Sequence, residues 1–463
     1  MKNLYKYFVL TLPLMLAGCT LHPKYTRPDA NIPVIYRDEA PKDAQERSFG
    51  DARWWEVFQD PELQSLIRTA LQQNFDIRIA ASRIEQARAQ LGITRSNQYP
   101  NVAGGATATV LRSAQGKFSP ASQLNLEDLS LSASWEIDFW GKYRSATEAA
   151  RAQLVATEWG RRAVLSSLVA NIANGYFQLR GLDLELEIAR RTLGSRQESL
   201  NLLSISEKGG AIPLLDVRQA EQLVYTASAQ VPDIERRIQQ EENFLSILLG
   251  RYPGSIPRGQ TLTEQTHAPQ IPAGIPSGLL QRRPDVMQSE QRLIALNAQI
   301  GVARAAYFPQ IVLTAGGGTQ SGALSGLFTG PSGLWSFAAG LTQPIFTAGR
   351  IRSGVKLAEA QQVEAVLAYQ QTVQEAFREV SDSLIAYQKA QEVRVQLELL
   401  ATSAADASRL SNLRYKGGAA SYLEVLTNET NLFSAELGLA QARSQELIAM
   451  VQLYNALGGG WQE

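Results

Sequence analysis

Residues 129–141 read LSLSASWEIDFWG, a stretch in which apolar and polar residues alternate. Successive side chains of an extended chain point to opposite faces. One face then carries the apolar set Leu129, Leu131, Ala133, Trp135, Ile137 and Phe139. The other face carries the polar set Ser130, Ser132, Ser134, Glu136 and Asp138. The pattern predicts one long strand with an apolar face and a polar face.

This strand is one of four similar runs, which together predict two hairpins. The predicted strands are 101–112, 126–139, 309–320 and 334–346, with polar loops between the partners. An eleven-residue strand tilted by about 45° covers about 25 Å, the height of the apolar band of an outer-membrane barrel. On this interpretation lipid covers the apolar face, and the polar set lines a water-filled lumen. The alternative is an ordinary antiparallel sheet packed on a core.

Four strands are too few to close a barrel, and an unpaired strand edge cannot lie in lipid. Copies of the chain must therefore share the barrel. Two copies give eight strands, the smallest usual barrel, and three copies give twelve. Three is the smallest number that also lets the helices enclose a conducting tube, so we expect a homotrimer.

Markers that recur about 208 positions apart indicate an internal duplication. Lys208-Gly209-Gly210-Ala211 recurs as Lys416-Gly417-Gly418-Ala419, and Leu215-Asp216-Val217 matches Leu423-Glu424-Val425. Four further markers keep the same register: Gly141, Leu249-Gly250, Gly92 and Pro100 match Gly349, Leu457-Gly458, Gly301 and Pro309. Such agreement over most of the chain predicts two repeats with the same order of elements.

Each repeat is predicted to contain short helices, a strand hairpin, one long helix without proline, a turn and a return helix. The chain is predicted to begin with a signal peptide at 1–18, followed by an acylated N-terminal segment and equatorial region at 19–60. The first repeat, 61–250, contains long helix 143–206 and return helix 214–249, and a Pro-rich linker follows at 251–278. The second repeat, 279–463, contains helix 285–306, long helix 350–415 and return helix 421–456. At 1.5 Å per residue each long helix spans about 95–100 Å. Rods of that length suit a structure that crosses a compartment.

The N-terminus has the features of an export signal. Lys2 and Lys6 precede a short apolar run, which ends in Leu16-Ala17-Gly18-Cys19. The run is too short for a transmembrane helix but is typical of a signal peptide. The LAGC stretch resembles the bacterial lipobox, in which the cysteine becomes the acylated first residue. Thr20 follows Cys19, and by the same resemblance a residue other than Asp favours the outer membrane.

Composition argues against several classes of protein. The chain of 463 residues has 44 basic and 44 acidic side chains, so no bulk charge points to nucleic acid. It has two histidines and one cysteine, which leaves the usual zinc, haem and Cys–His sites without ligands. Neither GxxxxGK[ST] nor GxSxG occurs. We therefore predict a protein that is not an enzyme and has no cofactor or metal.

At the level of whole motifs, the sequence resembles the TolC-type outer membrane factors, in particular the lipoprotein (NodT-like) branch of efflux-pump channels. The similar stretches are LAGC, WWEVFQDPELQSLIRTALQQNFDIRIA (54–80), WEIDFWGK (135–142), LLQRRPDV (279–286), IGVARAAYFPQIVLTAG (300–316), QPIFTAGR (343–350) and RYKGGAASYLEVL (414–426). The resemblance implies a mainly α chain whose trimer shares a 12-stranded transmembrane β-barrel above a long periplasmic α-barrel. It implies a location in the outer membrane of a Gram-negative bacterium, with a lipid anchor at Cys19. The implied partners are a periplasmic adaptor and an inner-membrane pump of the RND type.

The resemblance also assigns roles to residues at the far turns. It implies that Asp216, Tyr415 and Glu424 hold a periplasmic gate shut. It implies that the adaptor docks on the turns that contain Lys208, Gly209, Gly210, Lys416, Gly417 and Gly418. An acid at the start of a helix is also stabilised by the helix dipole alone, which is the plainer interpretation of both carboxylates. Some relatives carry an Arg at the position of Ala420, and that Arg links the far turns of neighbouring subunits. This chain has no Arg there, so the same link is not expected from Ala420.

The predicted function is a passive, trimeric exit duct for drugs or other small toxic solutes in a tripartite efflux pump, with a contribution to antibiotic resistance. One alternative is the exit channel of a type I protein secretion system, which uses the same architecture. Another is a structural helical lipoprotein. For the RRPD stretch (282–285), we expect a structural role at a helix start.

Overall fold

The computed structural model describes residues 21–29, 32–33, 48–114, 122–265 and 276–462. The predicted signal peptide and Cys19 lie outside these ranges, as do most of the first strand loop and part of the Pro-rich linker. The element bounds below refer to the described residues.

Nine α-helices and four strands follow one another in these ranges. The helices are α1 (Trp54–Val57), α2 (Pro61–Gln73), α3 (Phe75–Ser96), α4 (Lys142–Lys208), α5 (Leu214–Leu248), α6 (Pro276–Arg282), α7 (Pro284–Ala305), α8 (Arg350–Lys416) and α9 (Tyr422–Ala456). The strands are β1 (Asn101–Ser113), β2 (Ser122–Glu136), β3 (Gln310–Ser321) and β4 (Gly333–Thr342). Short 3-10 helices occur at Phe49–Asp51, Leu324–Gly326 and Gly330–Ser332.

The strands form a single four-stranded antiparallel sheet in the order β1-β2-β3-β4. The two hairpins therefore join through β2 and β3, which come from different repeats. Within the described chain, β1 and β4 each have one neighbour, so both outer edges of the sheet lack a partner. The mainly helical fold with four strands per chain agrees with the prediction.

Two strands end earlier than predicted. β2 ends at Glu136 and not at residue 139, because Asp138 accepts hydrogen bonds from the first backbone amides of α4. β4 ends at Thr342 and not at residue 346. Pro344 follows there; it has no amide hydrogen to donate, and its ring restricts the backbone of Gln343.

The repeat is visible in the backbone of the described chain. Seven glycines of the described chain have positive φ angles, and six of them form three pairs: Gly141 with Gly349 (73° and 83°), Gly210 with Gly418 (74° and 71°), and Gly250 with Gly458 (72° and 85°). A side chain costs about 1–2 kcal/mol in this left-handed region. Three of the glycine pairs that revealed the duplication are thus positions where both copies need the same unusual backbone.

The chain divides into two compact units, and each takes segments from both repeats. Unit 1 contains residues 1–29, 83–158 and 288–370 and holds the sheet; unit 2 contains 30–82, 159–287 and 371–463. The core of unit 2 includes Phe58, whose ring contacts Phe177 and Tyr454 at centroid distances of 6.3 and 5.8 Å. Because Phe177 belongs to α4 of the first repeat and Tyr454 to α9 of the second, segments from both repeats contribute to one core.

Candidate functional site: the two-faced sheet and the far turns

The alternation seen in residues 129–136 of β2 continues into the neighbouring strands. Paired residues of antiparallel strands lie on the same face, so the register extends each face from strand to strand. One face contains Val102, Val110, Leu129, Leu131, Trp135, Ile311, Leu313, Trp335, Phe337 and Leu341. The opposite face contains Asn101, Thr107, Ser130, Ser132, Ser134, Thr314, Gln320 and Ser336. Around residues 129–136 of β2 and their partners, one face is therefore mainly apolar and the other mainly polar or small. Nearer the loop between β1 and β2 the pattern reverses, with Asn125 and Glu127 on the first face and Leu124 and Leu126 on the second.

Glu136 and Asp138 differ from the other members of the predicted polar set. The Glu136 carboxylate accepts hydrogen bonds from Lys142 Nζ at 3.0 Å and Tyr143 OH at 2.6 Å. Asp138 lies beyond the strand and accepts from the backbone amides of Tyr143 and Arg144 at 3.0 and 2.8 Å. The prediction that Asp138 belongs to the strand was wrong, because this carboxylate caps the amides at the start of α4. Ser130, Ser132 and Ser134 do lie together on one face.

The far turns have the same backbone in both repeats. In the first, Ala211 N donates to Ser206 O and Gly210 N donates to Glu207 O. In the second, Ala419 N donates to Arg414 O and Gly418 N donates to Tyr415 O. Each pair of bonds is a Schellman motif, which requires a left-handed residue and so favours the second glycine of KGG. Lys208, Gly209, Lys416 and Gly417 are all exposed around it.

A small apolar cluster joins the two far turns within one chain. Its buried members are Leu203, Val217 and Ala220 from the first helix pair and Tyr422 and Val425 from the second. Tyr415 packs against this cluster, and its ring meets that of Tyr422 at a centroid distance of 5.5 Å. The two repeats are therefore held to each other close to the predicted gate.

The three predicted gate residues have different surroundings. Glu424 pairs with Arg414 at 3.1 Å, and both side chains remain considerably exposed. Partial burial raises the pKa of Tyr415, and the nearby charge of Asp216 raises it further. Within the described chain, the Asp216 carboxylate makes no hydrogen bond or ion pair. The structure thus brings Asp216 and Tyr415 together and gives Glu424 a separate partner.

Sequence reasoning missed two cations near the far turns. One is Arg414, the partner of Glu424, which lies six positions before the Ala420 at which a cation was sought. The other is Arg196, which is buried, donates to Leu223 O at 2.9 Å and lies 4.9 Å from the ring centroid of Phe433. Burial lowers the pKa of Arg196. Its position inside a long helix, twelve residues before the end of α4, gave no signal in the sequence.

The segment that follows Cys19 is attached along unit 1. Arg27 makes two hydrogen bonds to the Glu290 carboxylate, at 2.7 and 2.6 Å, and Tyr25 OH donates to the same group. His22 Nε2 lies 3.0 Å from a Glu148 oxygen. We call residues 21–29 the N-terminal strap.

Two further observations concern metals and membrane helices. Among the described residues, no group of three or more His, Cys, Asp or Glu side chains is arranged to hold a metal ion. In the same ranges, none of the helices has both the length and the apolar composition that a membrane-spanning helix requires.

Comparison with known proteins decides the family. The profile of the family described as outer membrane efflux protein matches residues 66–251 and again 275–459, once in each repeat. The chain belongs to the outer membrane efflux protein family. This membership confirms the predicted family, and the double match confirms the duplication.

The relatives of this family member are named as efflux proteins. The cation efflux system protein CusC of Escherichia coli is 35% identical over 462 residues, 99% of each chain. The solvent efflux pump outer membrane protein SrpC of Pseudomonas putida is 38% identical over 97% of each chain. The open-state MtrE outer membrane channel of Neisseria gonorrhoeae has a TM-score of 0.88 at 33% identity and covers 96% of this chain and 99% of its own. The predicted role in outer-membrane efflux is confirmed at this level.

Proposed function

We propose that three copies of this chain form a passive duct through the outer membrane of a Gram-negative bacterium. The duct carries drugs or other small toxic solutes outward as the last part of a tripartite efflux pump. The chain supplies the wall and the gate, and no chemistry on the solute is required.

The four-stranded sheet is the observation that carries this proposal. Around residues 129–136 of β2 and their partners, one of its faces is mainly apolar from β1 to β4, and its two edges have no partner within the described chain. In lipid every backbone amide must be paired, so the edges need strands from other chains. Three sheets joined edge to edge give a closed barrel of twelve strands, an even number within the range of outer-membrane barrels. Ser130, Ser132 and Ser134 then line its lumen.

Exposed apolar residues along the helices also favour assembly with further copies. On α8 alone, leucines that are at least half exposed in the single chain are Leu357, Leu367, Leu399, Leu400, Leu410 and Leu413. Extended apolar surface of this kind marks interaction sites. Since the barrel already requires identical neighbours, the same neighbours are the simplest cover for these helices.

The partners and anchor are part of the proposal. Cys19 carries the lipid anchor, and the N-terminal strap holds the following residues against unit 1. The exposed turns around Lys208, Gly209, Gly210, Lys416, Gly417 and Gly418 dock a periplasmic adaptor, which connects the duct to an inner-membrane pump of the RND type. Asp216, Tyr415 and Glu424 form the gate. The efflux names of the relatives favour this function over protein secretion.

A measurement of assembly and conductance tests the proposal. Native mass spectrometry of the detergent-extracted full-length protein should give three chains per particle. The same sample should produce discrete conductance steps in a planar bilayer, and boiling should change its migration on a gel. A monomer that retains its β signal in circular dichroism, or a trimer without conductance, contradicts the duct.

A further inference from the structure

A cleft of about 560 Å³ lies in unit 1 among α3, α4 and α7. Its polar lining includes Arg95 and Gln98 on one side and Arg144, Thr147, Glu148 and Arg151 on α4. Ala152, Val155 and Ile294 form an apolar part of its wall. The volume is in the range of small-molecule sites, about 300–1,000 Å³.

The charges in this cleft do not balance. Three arginines face one carboxylate, that of Glu148, and this carboxylate is already engaged by His22 of the strap. Arg144 has a partner in Asp138. In the described ranges, Arg95 and Arg151 make no ion pair or hydrogen bond through their side chains. Two uncommitted guanidinium groups therefore line a cleft that also has apolar wall.

The positions of its lining residues along the chain place the cleft next to the strands that, under the proposed function, cross the membrane. Arg144 and Thr147 lie in the first two turns of α4, which begins six residues after the end of β2, and Gln98 lies three residues before β1. The strand ends thus lie near this cleft.

We propose that the cleft binds the phosphate of an anionic lipid headgroup in the periplasmic leaflet of the outer membrane. Guanidinium groups match phosphate geometry with paired hydrogen bonds, and basic pockets between helices at a membrane surface bind lipid headgroups. Arg95 and Arg151 contact the phosphate oxygens, and the apolar wall contacts the glycerol and the first methylenes of the acyl chains. This inference depends on the proposed insertion of the sheet in the outer membrane.

Native mass spectrometry of the detergent-extracted full chain tests the proposal with two probes, phosphatidylglycerol and phosphatidylcholine with identical acyl chains. The wild type should retain phosphatidylglycerol preferentially. The variant Arg95→Gln/Arg151→Gln should bind it roughly tenfold more weakly and phosphatidylcholine unchanged, because two charge-assisted contacts are lost. The variant Arg95→Lys/Arg151→Lys, which keeps the charges, should recover part of the binding.

The matched control is Arg83→Gln/Arg352→Gln. It removes the same charge from exposed arginines of α3 and α8 that do not line the cleft, and it should retain the wild-type preference. Equal binding of both lipids by the wild type, or an unchanged preference in Arg95→Gln/Arg151→Gln, overturns the proposal.

Two further measurements distinguish the intact lipid from a free phosphate ester, and a missing lipid site from a failed assembly. Glycerol 3-phosphate should compete only weakly; if it binds as tightly as the intact lipid, the site takes free phosphate esters and the lipid assignment fails. Planar-bilayer conductance is measured on every variant. Wild-type protein that conducts without lipid preference contradicts only this inference, whereas protein that neither trimerises nor conducts contradicts the proposed function.

Discussion

The two repeats make the same junction with different chemistry. In the first, Asn74 Nδ2 donates to Leu248 O, the last carbonyl of α5, at 2.9 Å. In the second, the residue 209 positions later is Arg283, whose guanidinium donates at 3.2 Å to Ala456 O, the last carbonyl of α9. Each contact ties the end of a return helix, α5 or α9, back to the start of a short helix of the same repeat, α3 or α7. The duplication thus preserved the geometry of the contact and not the residue that makes it.

The surroundings of the two junction residues show how the second copy diverged. Arg283 is buried and also pairs with Asp285 and Glu379, each at 2.6 Å. The RRPD stretch is therefore structural, as expected. Asn74 instead caps α3 by accepting from the amides of Asp76 and Ile77. The side-chain amide of Asn74 has an acceptor oxygen, which caps the helix, and a donor nitrogen, which bonds the carbonyl. The guanidinium of Arg283 has only donors, so when it is buried it needs acceptors around it.

The largest predicted effect concerns a buried acid that only the first repeat has. Asp60 accepts hydrogen bonds from Tyr176 OH at 2.7 Å, Gln265 Nε2 at 2.8 Å and three backbone amides. We expect Asp60→Ala to lower the free energy of unfolding by about 3–5 kcal/mol, since the buried donors lose their acceptor. Circular dichroism of the detergent-solubilised protein in denaturant measures it.

The control for Asp60 is Asp233→Ala, which removes an exposed acid paired with Arg236 and should leave the free energy of unfolding close to that of the wild type. An Asp60→Ala effect as small as this control would show that Asp60 does not clamp the linker against α2 and α4.

The next largest effect compares the two junctions directly. Arg283→Met should destabilise by about 2–4 kcal/mol, because it removes a buried charged donor from two carboxylates and a carbonyl. Asn74→Ala should cost about 1–2 kcal/mol, the value of a cap together with one hydrogen bond. Denaturant unfolding under the same conditions gives both numbers. If Asn74→Ala is the more damaging change, the idea that the second junction depends on a denser network is wrong.

A smaller effect distinguishes two glycines at equivalent positions in α3 and α7. A Cβ on Gly301 would lie 2.6 Å from Ser145 Oγ and 2.9 Å from His22 Cβ, whereas a Cβ on Gly92 would meet nothing within 4 Å. Gly301→Ala should therefore displace the strap and cost about 1–2 kcal/mol. Gly92→Ala should stabilise its helix by up to about 1 kcal/mol.

Limited trypsin digestion measures how accessible the N-terminal strap is in these two variants, because trypsin can cleave after Lys24 within it. Cleavage there should become faster in Gly301→Ala and stay at the wild-type rate in Gly92→Ala. Equal protection in both variants would show that the strap does not depend on the close approach at Gly301.

The smallest effect on stability is expected at the far turns, where the repeats differ in one ion pair. Arg414 pairs with Glu424, but the residues 208 positions earlier are Ser206 and Asp216, which cannot form such a pair. Because the pair is exposed, Arg414→Ala should cost less than about 1 kcal/mol. Its effect should appear instead in single-channel recordings.

Opposite changes in ion selectivity would support a charged gate. If the proposed trimer sets three Glu424 carboxylates in a ring near its axis, Glu424→Ala should raise conductance and weaken cation selectivity. Arg414→Ala leaves those carboxylates uncompensated and should strengthen cation selectivity. Lys208→Ala, an exposed change at the first turn, serves as the control. Identical traces for Glu424→Ala and the wild type would exclude Glu424 from the gate.

Local sequence patterns alone predicted the strand, the duplication and the family of this protein. Alternation in residues 129–136 determined a two-faced strand, because side chains in extended chains alternate by geometry alone. The paired glycines determined the duplication, because only glycine enters the left-handed backbone of these turns without strain. Whole motifs determined the family, which the profile match in each repeat then confirmed.

Only the tertiary structure decided which partners each side chain has. Alternation could not place the end of β2, since Asp138 fits the polar face of a strand equally well until its carboxylate meets the amides of α4. Spacing along the chain could not join Asn74 to Leu248 or Arg283 to Ala456, because residues more than 170 positions apart meet only after the helices have packed. Periodicity is a property of neighbouring residues, and contacts between distant segments depend on packing that no local pattern encodes.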